Sequence, residues 1–132
     1  MAPANAHHIF IVDDDEDDQF LLQQALNQHA PDSWIEVLRD GEELLTALAE
    51  DKPLPSLVLL DLNMPRMGGL EALKHIRDDQ SYDELPIVIL TTSDSDGDRH
   101  QASSLRATDY LVKPGTVEQM NQLISTVKRQ WL

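Results

Sequence analysis

Short apolar runs alternate with longer amphipathic stretches along this chain. Ile9 to Val12, Leu57 to Leu60 and Ile87 to Leu90 are continuously apolar, the pattern of strands buried on both faces of a parallel sheet. Trp34 to Leu38 alternates enough to be a partly exposed strand, and Tyr110 to Val112 is a short final one. Between them the apolar spacing becomes helical. From about Asp17 to Gln28, Phe20, Leu22, Ala25 and Leu26 recur at that spacing, and Pro31 ends the helix. Glu42 to Glu50 turns Leu44, Leu45 and Leu48 inward, and Gly69 to Arg77 buries Leu70, Leu73 and Ile76. Val117 to about Gln130 carries Met120, Leu123, Ile124, Val127 and Trp131 on its apolar side. Asp94 to Ala107 is the weakest helix, with Asp94 or Asp96 as its cap and only Ala102 and Leu105 for packing. Such a helix should open locally more easily than its neighbours.

Five strands alternating with five helices specify an α/β fold, a parallel sheet wound right-handedly with helices on both faces. At 132 residues the natural choice is the flavodoxin-like (βα)5 arrangement with strand order 2-1-3-4-5, as a single domain over 1–132. Met1 to His8 reads as a flexible leader with His7 and His8 solvated.

Charge narrows the function classes. The formal net charge of −14 argues against direct nucleic-acid or anionic-membrane binding, and fits a divalent cation or a basic surface on a protein partner. There is no cysteine, so thiolate metal sites, disulfides and thiol catalysis are excluded. The first eight residues carry no Lys or Arg, and the following apolar run is too short for a signal peptide or a membrane span. A cytoplasmic protein is the default expectation.

The chemistry collects where the strands end. Asp13 and Asp14 follow the first strand, Asp61 the third, Thr91 closes the fourth and Lys113 the fifth. Open α/β sheets place their ligands at these carboxyl ends, and the expected strand order lets the five side chains converge. Three carboxylates that close would repel one another unless a cation shared them. Mg²⁺ suits best, because it takes one or two carboxylates and keeps positions for water and phosphate oxygens. With the Lys113 ammonium and the Thr91 hydroxyl added, attack by Asp61 on a phosphoryl group would give an aspartyl phosphate. Blander readings apply to neighbouring residues. Asp15 to Asp18 read as a solvated helix start opposing the macrodipole. The acidic run lacks the spacing and closing Glu of a calcium loop. His29, His75 and His100 read as solvent-facing, none a convincing catalytic base. Trp131 either covers the end of the last helix or forms a subunit contact.

The paired Asp after strand one, the D-x-N-M-P-x-M-x-G around Asp61, the Thr closing strand four and the Lys-Pro closing strand five resemble a two-component response-regulator receiver domain. The resemblance runs from about Ile9 to Leu132. It implies Asp61 as phospho-acceptor, Asp14 as direct Mg²⁺ ligand and Asp13 holding the metal through water. It further implies that Asn63 offers its backbone carbonyl to the metal, with Mn²⁺ or Ca²⁺ able to substitute for Mg²⁺. Thr91 and Lys113 would contact the phosphoryl group, Tyr110 would be the switch aromatic, and the Lys113-Pro114 bond would be cis. LPIVILTTS from Leu85, the Tyr-Leu-Val-Lys-Pro run and the final Trp131-Leu132 resemble the stand-alone regulators paired with phytochrome-type histidine kinases. Arg106 to Asp109 departs from that pattern, where a Gly-Ala-containing turn is usual, and so does Gly115, where a bulkier apolar residue is usual.

The leading expectation is a stand-alone receiver, phosphorylated by a sensor histidine kinase, with no output domain beyond Lys113. Its output would be contact with an unidentified downstream protein through helix four, strand five and helix five, a surface also compatible with a homodimer. One competitor is a small Mg²⁺-dependent phosphohydrolase, which wants a second carboxylate two residues after its nucleophile. Asn63 holds that position after Asp61, whereas Asp15 does lie two residues after Asp13. The other competitor is a receiver-like binding module that is never phosphorylated.

Overall fold

A computed structural model describes residues 7–50 and 52–132. The five strands β1 (His8–Val12), β2 (Trp34–Leu38), β3 (Leu57–Leu60), β4 (Ile87–Thr91) and β5 (Asp109–Val112) form one parallel sheet in the order β2-β1-β3-β4-β5. Four helices connect them, α1 (Glu16–His29), α2 (Gly41–Ala49), α3 (Gly69–Arg77) and α4 (Asp96–Ser104), and α5 (Val117–Trp131) follows the last strand. A 3₁₀ turn at Gln80–Tyr82 follows α3. The expected fold class and strand order are those observed.

The alternation of side chains along each strand divides the core into two layers. Phe10, Val12, Val58, Leu60, Ile87 and Ile89 meet α2, α3 and Ala102 of α4. Ile9, Ile11, Leu57, Leu59, Val88 and Leu90 meet α1 and α5 through Leu22, Leu26, Met120, Ile124 and Val127. Because β3 is buried at every position, its carboxyl end is held by packing on both faces. Side-chain caps fix the entries of α1, α2 and α5, whereas α3 has none. Asp15 accepts the Asp17 and Asp18 amides before α1, Asp40 the Glu43 amide before α2, and Thr116 the Gln119 amide before α5.

Several expectations are corrected. Phe20 is 60% exposed, since it lies about 200° around α1 from Leu22 and so leaves the buried stripe. His8 is not solvated leader but the first residue of β1, stacked on Trp34 with ring centroids 4.4 Å apart. His7, also expected to be solvated, is half-buried and its carbonyl accepts from the Trp34 amide at 2.8 Å, while residues 1–6 of the expected leader lie outside the described residues. The cap of α4 is Ser95, between the two expected Asp residues, and Leu105 ends the helix instead of lying within it. His75 and His100 are exposed as expected, whereas His29 is half-buried at the end of α1. Trp131 is half-buried against the α1/α5 layer, so it covers the core end of the last helix. Among the described residues there is no cis peptide, so Lys113-Pro114 is trans, the isomer X-Pro bonds favour by about 0.5–1 kcal/mol.

The two departures noted around β5 also have structures. Arg106 takes φ 65°, the left-handed conformation that ends α4 and that glycine adopts more readily. Its guanidinium donates to the Arg77 carbonyl at 2.6 Å, and its own carbonyl accepts from Arg77 Nε at 3.0 Å, a reciprocal contact that holds the strained turn. Gly115 lies in open space, where a side chain would meet nothing within 4 Å.

Candidate phosphoryl site

Asp61 follows the last residue of β3 and is only 7% exposed. Its amide donates to the Val12 carbonyl at 2.9 Å, which prolongs the β1/β3 ladder by one bond and fixes the residue beside Asp13. Its Oδ1 accepts from the Leu62 amide at 2.7 Å. Its Oδ2 faces the Lys113 ammonium at 3.2 Å. Behind it, Gly69 approaches so closely that a Cβ there would lie 2.1 Å from the Asp61 carbonyl oxygen. The absent side chain lets α3 begin directly against the strand exit, and the Gly69 amide donates to the Leu62 carbonyl at 2.9 Å.

Asp13 is buried and Asp14 exposed, and each brings a carboxylate oxygen within 4.8 Å of the other and of Asp61. Burial pushes the Asp13 carboxyl up, more than its bonds to Lys113 and the Asp15 amide pull it down, and the Asp61 charge adds to the rise. Lys113 contacts Asp13 at 2.7 Å, Asp18 at 2.7 Å and Asp61 at 3.2 Å. Burial disfavours its charged form, but the hydrogen bonds to Asp13 and Asp18 and the nearby Asp61 outweigh this and hold the ammonium above the usual lysine range. One ammonium cannot neutralise this many carboxylates. The donor set is all hard oxygen with charge in excess, which fits a divalent cation such as Mg²⁺ held by Asp13, Asp14 and Asp61.

The remaining expected residues lie around this centre. Thr91 is fully buried at the end of β4, its hydroxyl accepting weakly from the Ser93 amide at 3.4 Å and its carbonyl accepting from the Lys113 amide at 2.7 Å. Asn63 is exposed in the loop two residues beyond Asp61. Tyr110 on β5 is half-buried, its hydroxyl donating to the Ser93 carbonyl at 2.9 Å and the Arg99 guanidinium 4.7 Å above its ring. Asp18, expected among the solvated residues of the helix start, is instead one of the two shortest partners of Lys113. A lysine distant in sequence makes that contact, so its only local signal was a place in the first turn of α1, four residues after Asp14.

Comparison with known proteins decides the family. Residues 9–125 match the response regulator receiver domain. The chain is a response-regulator receiver domain. It is 31% identical to the response regulator Rcp1 of Synechocystis over 129 residues, covering 94% of this chain and 88% of that protein. It is 34% identical over 128 residues to the probable methanogenesis regulatory protein FilR2 of Methanothrix harundinacea, covering 94% of this chain and 83% of that one. The crystal structure of the phosphorylated cyanobacterial phytochrome response regulator RcpA superposes with a TM-score of 0.90 at 30% identity, covering 96% of this chain and 94% of that one. The Mn²⁺-bound form of Rcp1 superposes with a TM-score of 0.87 at 30% identity, with the same coverage of both chains. The receiver domain is thus similar to stand-alone response regulators over nearly their whole length, and relatives of this kind are signalling proteins. Among its described residues no helix is long and apolar enough to cross a membrane.

Proposed function

We propose that this receiver domain accepts a phosphoryl group onto Asp61 from the phosphohistidine of a sensor histidine kinase, with Mg²⁺ held by Asp14, Asp61 and the Asn63 carbonyl and by Asp13 through water. The observation that carries the reading is the Asp61 carboxylate, shielded from solvent and 3.2 Å from the Lys113 ammonium within a carboxylate cluster. An Asp61 oxygen attacks phosphorus; the O–P bond forms as the P–N bond breaks, and the electron pair leaves on the imidazole nitrogen. Lys113 offers an N–H to a phosphoryl oxygen, and the Thr91 hydroxyl offers a second donor. The bound cation supplies the positive charge that lets phosphoryl oxygens approach so many carboxylates.

Similarity to the cyanobacterial phytochrome response regulator RcpA supports a phytochrome-type kinase as the donor. With the added charge, Thr91 turns toward the phosphoryl oxygen and Tyr110 shifts inward, biasing the surface of α4, β5 and α5 toward a downstream protein or a second copy of the chain. α4 suits the moving part, since Ala102 is its one buried residue. We place the domain in the cytoplasm, where such kinases present their phosphohistidine. The test is incubation with acetyl phosphate and Mg²⁺ followed by intact-mass measurement. Wild type gains one phosphoryl group, and Asp61→Asn gains none while keeping its circular-dichroism spectrum. An unmodified wild type, or equal labelling of Asp61→Asn, would overturn the assignment.

A further inference from the structure

Lys113 has one carboxylate partner that the phosphoryl chemistry does not call for. Its ammonium carries three protons, and three carboxylates face them. The contacts to Asp13 and Asp18 are both 2.7 Å, and the contact to Asp61 is longer at 3.2 Å. Asp18 lies outside the group formed by Asp13, Asp14 and Asp61. It comes instead from the first turn of α1, where the Asp15 cap accepts its amide at 3.1 Å and that of Asp17 at 2.9 Å. A capped helix end therefore delivers this carboxylate with little freedom. The Lys113 side chain is 5% exposed and that of Asp18 27%, so the pair is largely shielded from water.

We propose that Asp18 is a positioning residue for phosphoryl transfer, holding the Lys113 ammonium between the start of α1 and the exit of β3. The inference rests on the reading of Asp61 as acceptor. A lysine side chain has four rotatable carbons and must be steered to act at one oxygen. Asp13 and Asp61 are poor anchors for it, because both also serve the cation. Asp18 serves no other group among the described contacts and keeps a counter-charge on Lys113 while those two are engaged. One N–H then remains directed at the Asp61 side of the pocket. Removing Asp18 leaves the pocket intact but lets the ammonium wander.

The experiment compares Asp18→Asn with Asp17→Asn, an equal change of charge one residue away at an exposed position. Acetyl phosphate is the donor, so kinase docking plays no part. With saturating Mg²⁺, labelling of Asp18→Asn slows about three- to tenfold, while Asp17→Asn stays near wild type. Asp18→Glu recovers part of the rate. In a Lys113→Met background, Asp18→Asn causes no further loss, since it acts through the ammonium. A readout independent of transfer is the Lys113 ammonium resonance in metal-free protein, sharp in wild type and Asp17→Asn and broadened in Asp18→Asn. A labelled wild type with Asp18→Asn equally fast, or a loss that persists without Lys113, overturns this proposal alone. A wild type that takes no label overturns the acceptor reading and this proposal with it.

Discussion

Gly69→Ala tests whether the packing of α3 against the exit of β3 sets the phosphoryl site. The added Cβ would lie 2.1 Å from the Asp61 carbonyl oxygen and 3.0 Å from both the Asp61 carbonyl carbon and the Leu62 Cα. A carbon needs about 3.3 Å from an oxygen, so one backbone must retreat by roughly 1 Å. Neither can do so freely. The Asp61 amide is bonded to the Val12 carbonyl at 2.9 Å, and the Gly69 amide to the Leu62 carbonyl at 2.9 Å. Overpacking typically costs about 1–3 kcal/mol, and backbone pressed on backbone belongs at the upper end. Alanine's better helix propensity returns about 1 kcal/mol at most. The expected net loss is about 2–3 kcal/mol, or roughly 6–12 °C in Tm for a domain of this size. Displacing Asp61 by about 1 Å should also slow labelling by acetyl phosphate about a hundredfold. Urea unfolding and intact-mass labelling measure the two effects. Gly97→Ala is the control, because its Cβ meets nothing within 4 Å, and it should be neutral or slightly stabilising. A Gly69→Ala protein within about 1 kcal/mol of wild type and labelled at the wild-type rate would refute the packing argument.

Two further outcomes test the supports around the site. Asp40 is fully buried, caps α2 and pairs with Arg66 from the loop after Asp61, its carboxyl held down by the Glu43 amide and the Arg66 guanidinium even though burial raises it. Asp40→Ala should cost about 2–3 kcal/mol, and Asp40→Asn, which keeps the cap acceptor, about 1 kcal/mol. Because the folded pKa is depressed, the contribution of this charge is present above pH 3.8 and is lost as pH falls through the folded value. The gap between wild type and Asp40→Asn in urea midpoint should therefore narrow only below about pH 3.8, and a gap that closes near neutrality would contradict the pairing. Arg77 is 7% exposed and donates to the carbonyls of Tyr82 at 2.6 Å, Leu85 at 2.9 Å and Arg106 at 3.0 Å. Arg77→Ala strands all three acceptors and should destabilise by about 3 kcal/mol or more in chemical denaturation, with Arg77→Met no better than partly restorative.

The sequence alone specified the layered α/β architecture, because continuously apolar strand runs with helical spacing between them leave one consistent packing. It also determined which residues end the strands, and a parallel sheet brings such residues to one edge, so Asp13, Asp14, Asp61, Thr91 and Lys113 were legible before any coordinates. Tertiary structure alone decided what those residues touch. Asp18 looked like any acid in a helix's first turn, and only the complete fold brought Lys113, beyond the exit of β5, to 2.7 Å from it. The Ser95 cap follows from where α4 begins in the fold, and the outward Phe20 from its place about 200° around α1 from the buried Leu22. The reason is one of range. A burial pattern is written in neighbours a few residues away, whereas a salt bridge spanning 95 residues exists only once the whole sheet has placed its ends.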